Sequence, residues 1–241
     1  MATTPFLLLT KYPWWCIYFS EEANYKSIYT LQLVIQKKVQ AGLLPNIILL
    51  GNHPPTVTLG KKTNIHHIKE IPSDIPTFEI ERGGSVTYHY PQQAVVYPIF
   101  KLPTPNVHGI ARWLETSWIE AISQAVPQPQ GLQTLAGKAG LWTTHPEPQK
   151  LGALGLAVKQ WVTYHGIAIN IAGDVSPFQH WMHPCGLEET TITSVQAYYG
   201  GQHPFQTASL ALVGWLAYLE NQQYTVPERT FTVAEFNRNF L

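Results

Sequence analysis

The sequence predicts a single domain of mixed α/β (α+β) class, built from mixed, mainly antiparallel sheets flanked by helices. Helical segments stand between runs of hairpin-like strands instead of alternating regularly with single strands. The chain also shows no internal repeat, no low-complexity stretch and no linker, although the proline-containing segment 101–105 marks a surface loop. We therefore expect residues 1–241 to form one domain.

The first elements are a buried strand and an amphipathic helix. Residues 14–19 are a strand-like apolar stretch, in which Cys16 is expected to be a small buried thiol. Residues 24–41 predict a helix that ends at Gly42. Its apolar positions recur at helical spacing, at Ile28, Leu31, Ile35 and Val39.

The remaining elements follow the same two periodicities. Strands are predicted at 46–50, 56–60, 77–81, 94–100, 139–143, 152–161 and 164–171, the first two joined across residues 52–55. Helices are predicted at 108–125 and at 205–219, the latter as the last long helix. The inward-facing residues of the 108–125 helix are Ile110, Trp113, Leu114, Ala121 and Ile122.

Composition restricts the classes of partner. Hydrophobic residues make up 45% of the chain and charged residues 12%, about half the usual share, which is typical of a well-packed globular protein. Fifteen basic and fifteen acidic residues give zero formal charge, so we expect neither a nucleic-acid partner nor a membrane. No basic segment precedes the short apolar run at 6–9, and two dissimilar cysteines make no disulfide framework. We expect a reduced, soluble, cytoplasmic protein.

Cys185 is the cysteine whose surroundings favour chemistry. It has no flanking apolar run that would bury a thiol, and Pro184 and Gly186 predict a tight turn able to present the sulfur to a cleft. A lone cysteine beside a proline is common, so the interpretation depends on the residues around it in the fold. Cys185 is therefore a candidate nucleophile.

Polar residues and glycines interrupt the apolar pattern in four segments. These segments are 81–93, 150–155, 163–170, and 183–186 with 191–195. Together with His53-Pro54 and Thr58-Leu59-Gly60, they resemble in order and spacing the lipoyl(octanoyl) transferase (LipB) family, relatives of lipoate and biotin protein ligases. The resemblance spans roughly residues 53–195 and implies a biotin/lipoate protein ligase-like fold.

The resemblance also implies an activity and partners. The expected reaction is octanoyl transfer from octanoyl-acyl carrier protein, through a Cys185 thioester, to a lysine of apo lipoyl domains, the first step of lipoate biosynthesis. The implied acceptors are the lipoyl domains of 2-oxoacid dehydrogenase complexes and the glycine cleavage H protein. Neither a cofactor nor a metal is expected.

The resemblance assigns residue roles as well. Cys185 becomes the acyl-accepting nucleophile and Lys150 its acid/base partner. The implied substrate-binding residues are Arg82, Gly83, Gly84, Ser85, Tyr88, His89, Gly152, Ala153, Leu154, Gly155, His165, Gly166, Ile167 and Ala168.

The chemistry of the residue types agrees with these roles. A free cysteine is only a few per cent thiolate at pH 7, so a thioester-attacking cysteine needs a base or a cation beside it. Lys150 can accept the thiol proton as an amine and stabilise the thiolate as an ammonium. Thiol–thioester exchange is nearly neutral in energy and needs no nucleotide, and the chain has no Gly-x4-Gly-Lys-Ser/Thr phosphate loop.

Several of these residues also have plain structural interpretations. The glycines of the four segments can make room for an acyl chain, or they can be strand ends and bulges. His89 and His165 can be core histidines or site walls. His66 and His67 are expected on a solvated loop, as are Lys61 and Lys62, which could also dock an acidic carrier protein.

Two rival functions and one departure from the family remain open. Cys185 could instead pair with His165 or His183 in another cysteine acyltransferase or hydrolase, or the chain could be a non-catalytic relative that only binds carrier or lipoyl domains. His180, His183 and Cys185 mimic a metal cluster but lack a second ligand pair. Tyr90 and Gln92 stand where the family favours small residues and glycine. Tyr90 is therefore expected to narrow the acyl tunnel or to face the carrier, and Gln92 to strain the loop.

Overall fold

The computed structural model describes residues 14–20, 23–126, 131–183, 191–200, 203–222 and 227–241. The eight strands of its larger sheet are β1 (Trp14–Phe19), β2 (Asn46–Gly51), β6 (Gln93–Ile99), β7 (Leu132–Leu135), β8 (Lys138–Thr143), β9 (Lys150–Lys159), β10 (Val162–Asn170) and β11 (Arg229–Thr232). Their spatial order is β11-β1-β2-β6-β10-β9-β8-β7. β1 pairs in parallel with β2 and β11, whereas all other neighbours in the sheet are antiparallel.

A second, smaller sheet lies beside the first. It has the order β4-β3-β5, formed by β3 (Thr56–Leu59), β4 (Thr77–Glu79) and β5 (Val86–His89). β3 is parallel to β4 and antiparallel to β5. The predicted class of mixed, mainly antiparallel sheets flanked by helices is therefore confirmed.

Helices cover both faces of the larger sheet. The helices of the described residues are α1 (Tyr25–Gln40), α2 (Val107–Ala125), α3 (Pro177–His180), α4 (Val195–Tyr199), α5 (Ala208–Asn221) and α6 (Val233–Phe240), with a 3₁₀ turn at Ile65–His67. Of these, α3 packs against β5 of the smaller sheet. α1 and α6 share one hydrophobic cluster with the sheet, and α2 and α5 share the other. Because successive side chains of a strand point to opposite faces, Cys16 packs in the second cluster and Ile17 in the first.

The predicted core residues of the two long helices are buried. In α1 the exposed fraction of the four apolar positions is 5% or less, and Lys37 and Lys38 lie in the last turn. The predicted inward face of α2 is also buried. There the Trp118 ring stacks on Trp215 of α5, with centroids 5.6 Å apart, and the Trp215 indole N–H donates to Ser117 Oγ.

Three features of the element prediction are wrong. The strands at 46–50 and 56–60 exist, but β2 and β3 lie in different sheets, because the connection through Pro54 and Pro55 leads the chain away from the β2 ladder. The 77–81 strand ends at Glu79. The 205–219 helix begins only at Ala208, and the sequence did not predict the short α6 that follows it, which starts with a capping box in which Thr232 and Glu235 bond reciprocally.

Candidate active site

Lys150 lies where three cavities lined by described residues meet. It is the first residue of β9, and only 4% of its surface is exposed. Its side-chain nitrogen Nζ lies 5.3 Å from the centroid of the Trp142 ring, a distance typical of a cation–π contact. A lysine is rarely buried this far without a reason, so its position marks the junction as a candidate reaction centre.

The inner cavity is a narrow space of about 50 Å³ between the two sheets. Its lining residues come from the 82–89 segment and from β9 and β10, together with two tyrosines. They are Tyr25, Arg82, Gly84, Ser85, Val86, Thr87, His89, Tyr97, Lys150, Ala153, Leu154, Gly155, His165, Gly166, Ile167 and Ala168. The β9–β10 ladder pairs Gly155 with Gly166 and Ala153 with Ala168, so one hairpin supplies an apolar wall.

The outer cavity is larger, about 790 Å³, and opens to the surface. It is lined by Lys62, His67, Gly83, Gly84, Ser85, Val107, His108, Ala111, Ala136, Gly137, Lys138, Ala139, Trp142, Lys150, Leu154, Gly155 and Leu156. A side cavity of about 10 Å³ is lined by Val86, Thr87, Lys150, Gly152, Ala153, Asn170, Phe178 and Ile192. Lys150 is therefore reached from the surface through the outer cavity.

A group of buried histidines lies beside the inner cavity. His53, His89 and His165 each have an exposed fraction of 5% or less, and Tyr25 stacks on His89 with ring centroids 5.6 Å apart. Burial, aided by the Arg82 guanidinium, lowers the pKa of His165 to about 3. Burial also lowers the pKa of His89 to about 4, although the hydrogen bond that His89 makes to Gln93 opposes this shift. Burial lowers the pKa of His53 well below its ordinary value. These imidazoles are neutral at physiological pH.

His165 is held in an uncommon conformation. Its φ is +55°, its backbone N–H donates to Oε1 of the buried Gln32 at 2.8 Å, and neither ring nitrogen has a hydrogen-bond partner in the described structure. An imidazole with a pKa near 3 is a weak base, since catalytic bases work best with a pKa near the operating pH. This argues against His165 as the base for a cysteine nucleophile.

The buried histidines predict an acid-sensitive fold. In the unfolded chain a histidine has a pKa near 6.5, so between about pH 6.5 and 3 the unfolded state binds more protons than the folded state. Stability should therefore fall as the pH is lowered from about 6.5 toward 4. His165→Phe, which keeps an aromatic ring against Tyr29 and Tyr97, should flatten this dependence.

The measurement is the urea midpoint of unfolding at several pH values. His66→Gln serves as the control, because His66 is exposed and should leave the slope unchanged. A His165→Phe protein with the wild-type slope would contradict the assignment of this histidine as a buried neutral group.

A chain of hydrogen bonds joins His89 to Thr193, whose backbone pairs with that of Lys150. His89 Nδ1 donates to Gln93 Oε1 at 2.7 Å, and Gln93 Nε2 donates to Asn170 Oδ1 at 3.0 Å. Asn170 Nδ2 then donates to the carbonyl of Thr193 at 3.0 Å. Gln93 and Asn170 belong to the segments 81–93 and 163–170, but the sequence predicted no role for either residue. The structure shows that both fix the orientation of groups around the cavities.

The segment after Cys185 pairs with Lys150 directly. The Lys150 N–H donates to the Thr191 carbonyl at 2.8 Å, and the Thr193 N–H donates to the Lys150 carbonyl at 2.9 Å. Before Cys185, the His183 N–H donates to the His67 carbonyl at 2.8 Å. Cys185 itself lies outside the described residues, as do Pro184 and Gly186. The last described residue before it and the first one after it are thus both tied to the walls of the site.

His67 corrects the expectation of a solvated loop. His66 is exposed, but His67 is half-buried and lines the outer cavity. Its Nδ1 accepts from the Asn64 N–H at 3.3 Å, so the Ser85 hydroxyl, 2.7 Å away, also donates to this nitrogen. The predicted binding residue Ser85 is oriented by a histidine that the local sequence did not single out.

Arg82 ties the smaller sheet to the cavity wall. Its guanidinium donates to the Thr58 hydroxyl and carbonyl at 2.7–3.2 Å and to the Gly83 carbonyl at 3.0 Å. A Cβ placed on Gly155 would lie 2.7 Å from the Gly83 carbonyl, so Gly155 lets the 82–84 loop approach β9. Gly155 thus permits the close approach of two backbones, a role outside the two interpretations given for these glycines, and it also lines the inner and outer cavities.

Gly140 is a residue of the site that the sequence did not reveal. Its φ is +115°, and a Cβ there would lie 2.0 Å from the Gly152 carbonyl and 3.1 Å from Lys150 Cε. Its N–H donates to Glu115 at 2.7 Å. Gly140→Ala should therefore both strain β8 and displace Lys150, costing about 1–3 kcal/mol of stability and most of the activity.

Gly137→Ala is the matched control for this prediction. Gly137 also has positive φ, +76°, but nothing lies within 4 Å of its added Cβ. Urea unfolding and an acyl-transfer assay on both variants separate backbone strain from displacement of Lys150. Equal activity in the two variants would show that contact with Lys150 does not matter.

Tyr90 and Gln92 correct the expectations about the loop. Tyr90 is 4% exposed and stacks on Tyr88 with centroids 5.5 Å apart, within the small-sheet core that includes Met182 and Ile192. It neither faces solvent nor lines the described cavities, so both predicted orientations are wrong. Gln92 is not among the described residues with positive φ, so its predicted backbone strain does not arise.

The predicted binding residues are brought together with one exception. Tyr88 packs edge-on against Phe178 and Trp181 in the small-sheet core and is not among the residues lining the three cavities. All other predicted binding residues line at least one of these cavities, and Lys150 lines all three. Predicted residues from three segments, 82–89, 152–155 and 165–168, thus surround one lysine.

Two wider features of the described residues bear on the class of protein. No helix in the described part of the chain is long and apolar enough to cross a membrane. The described residues also contain no group of three or more histidine, cysteine or carboxylate side chains that could hold a metal ion. Because Cys185 lies outside the described residues, this finding does not cover it, and the absence of a metal stays a prediction.

Comparison with known proteins places the chain in a family. Residues 24–217 match the family model of the lipoyl protein ligase A/B catalytic domain. An octanoyltransferase from Syntrophotalea carbinolica is 35% identical over 178 residues, covering 73% of this chain and 80% of that protein. The octanoyltransferase of Geobacter sulfurreducens is 37% identical over 176 residues, covering 71% of this chain and 70% of that protein.

The fold resembles a solved structure whose sequence is much less similar to this chain than those of the two octanoyltransferases. The structure of a bi-partite lipoate protein ligase and its E2 lipoyl domain from Thermoplasma acidophilum superposes with a TM-score of 0.70 at 11% identity, covering 93% of this chain and 89% of that one. The ligase-like fold expected from the sequence is confirmed by this likeness. The family model and the octanoyltransferase relatives together show that this chain belongs to the octanoyltransferase (LipB) family of acyltransferases, built on the lipoyl protein ligase A/B catalytic domain.

Proposed function

We propose that this acyltransferase moves an octanoyl group from octanoyl-acyl carrier protein to a lysine of apo lipoyl domains through a thioester on Cys185. The observation that carries the proposal is Lys150, a buried lysine at the meeting point of three cavities. Its backbone is paired with Thr191 and Thr193, in the segment that follows Cys185. The octanoyltransferase relatives support the acyl group.

In the first step, the Cys185 thiol is deprotonated with Lys150 as proton acceptor. The thiolate attacks the carbonyl carbon of the donor thioester, a new carbon–sulfur bond forms, and the bond to the carrier sulfur breaks. The carrier leaves as a thiol after it takes the proton from the Lys150 ammonium. One thioester replaces another, so no external energy source is required.

In the second step, the amine of the target lysine attacks the Cys185 thioester. The carbon–nitrogen bond forms, the Cys185 sulfur leaves, and the amine proton passes through Lys150 to that sulfur. An amide replaces a thioester, which makes this step downhill. The open outer cavity offers the target lysine a path to Lys150.

The inner cavity offers an apolar wall for the acyl chain, but at about 50 Å³ it must widen to hold all eight carbons. Ala153, Leu154, Ile167 and Ala168 give it an apolar wall, and Lys150 stands at one end. His89 and His165 add polar atoms without net charge, because burial keeps their pKa values low. Arg82 also lines the cavity, and hydrogen bonds to Thr58 and the Gly83 carbonyl hold its guanidinium.

Mass spectrometry of the intact protein tests the proposal. Incubation with octanoyl-acyl carrier protein should add one octanoyl group to the protein, which peptide analysis should map to Cys185. When apo lipoyl domain is then added, the octanoyl group should leave the enzyme and appear on the lipoyl domain. Release of free octanoate without transfer would indicate a hydrolase. A chain that stays unmodified and transfers nothing would indicate a binding protein, and either result would overturn the proposal.

A further inference from the structure

The outer cavity has an unusual charge distribution. Lys62, His67, His108, Lys138 and Lys150 line it, whereas its described lining includes no aspartate or glutamate. The chain as a whole has equal numbers of acidic and basic residues, so this separation of charge is local. A concave surface with several cations and no described carboxylate favours an anionic ligand.

Lys138 is coupled to the candidate reaction centre through Trp142. Its ammonium lies 5.5 Å from the centroid of the Trp142 ring, the same ring that Lys150 contacts at 5.3 Å. The Trp142 indole N–H donates to the Lys138 carbonyl at 3.1 Å, which fixes the ring between the two lysines. Lys150 is buried, whereas Lys138 is exposed and faces the entrance.

Lys62 comes from a different part of the fold. It is exposed, and its backbone N–H donates to the Gly84 carbonyl at 3.0 Å, which places it beside the 83–85 wall of the cavity. Lys138 belongs to β8 of the larger sheet, so the two cations come from separate walls of one cavity.

The first turn of α2 completes the entrance. Val107, His108 and Ala111 line the cavity, and the Asn106 side chain caps the helix by accepting from the Gly109 N–H. The N-terminus of a 19-residue helix carries a partial positive charge, which adds to the field of the lysines.

We propose that the outer cavity binds the phosphate of the donor's phosphopantetheine arm, with Lys62 and Lys138 as the phosphate-binding residues. An acyl carrier protein holds its acyl thioester at one end of this arm and a phosphodiester at the other. The thioester would lie at Lys150 while the phosphate stays at the entrance, between the two exposed lysines. The inference rests on the proposed function, since it assumes a carrier-bound donor.

The test compares two small donors that differ only in the phosphate, octanoyl-phosphopantetheine and octanoyl-pantetheine. Wild-type protein should use the phosphorylated donor with a kcat/KM about tenfold higher, mainly through a lower KM. The Lys62→Ala, Lys138→Ala double variant should lose this preference. Lys61→Ala is the control, because Lys61 is exposed and adjacent in sequence but does not line the cavity, and it should keep the preference.

Three results would overturn the inference. Wild-type protein could turn over both donors equally well, which would leave the proposed function standing. The double variant could lose activity equally on both donors, which would assign the lysines to the fold or the chemistry. ATP could compete with the phosphorylated donor better than phosphopantetheine does, which would assign the cavity to a nucleotide. Failure of acyl transfer from either donor and from octanoyl-acyl carrier protein would instead refute the proposed function.

Discussion

Cys185→Ser should abolish octanoyl transfer, lowering the rate by on the order of 10³-fold or more. A serine hydroxyl is far less acidic than a thiol, so the lysine that activates a thiol cannot ionise it to a useful extent near neutral pH. The measurement is transfer from octanoyl-acyl carrier protein to an apo lipoyl domain, together with the intact mass of the enzyme. Neither product nor adduct should appear.

Cys16→Ser is the matched control for this prediction. Cys16 is fully buried in β1, and burial raises the pKa of its thiol to about 12, so it is not a nucleophile. Its replacement should keep the activity and lower the stability, because a hydroxyl replaces a sulfur in the core. Transfer by Cys185→Ser at a rate near that of wild type would rule out the covalent mechanism.

Long periodic elements were the part of the fold that the sequence predicted well. α1 and α2 begin and end within about a turn of the predicted positions, because amphipathic spacing and terminal residues both act within the segment. The central strands were found for a similar reason. β2 and β6 are buried on both faces, and each therefore contains a continuous apolar run.

The strands that the sequence missed are short, and β11 also depends on a distant partner. β5, β7 and β11 have four residues each, too few for a periodic signal, and β11 is defined by its pairing with β1 more than 200 residues away. The separation of β2 from β3 into two sheets is likewise a choice of partner that no local pattern encodes.

The candidate site also has a part that the sequence predicted and a part that it missed. β9 and β10 form one hairpin, so residues quoted from two neighbouring segments had to face a common cavity. The 82–85 loop joins them through a single backbone bond, from the Gly83 N–H to the Leu156 carbonyl. His67 and Trp142 were missed because each acts on a residue elsewhere in the sequence, His67 on Ser85 and Trp142 on Lys150. Gly140 was missed because the site needs only the space that its missing side chain leaves.

Lys150→Ala should slow acylation of the enzyme by about 100-fold or more, the range expected for loss of a positioned acid/base group. Lys150→Arg should not restore it, because a guanidinium cannot accept a proton near neutral pH. Single-turnover acylation by octanoyl-acyl carrier protein measures this step. Lys159→Ala, at the exposed far end of the same strand, should acylate at the wild-type rate.

The same variants predict how the reactivity of the cysteine depends on pH. In wild-type protein, alkylation of Cys185 by iodoacetamide should be fast near neutral pH, because Lys150 favours the thiolate. In Lys150→Ala the midpoint of the rate profile should move up toward that of a free thiol, about 8.5, while Lys159→Ala keeps the wild-type profile. Superimposable profiles for wild type and Lys150→Ala would refute the partnership. The buried lysine at the junction of the cavities would then act only on the donor or on the leaving group.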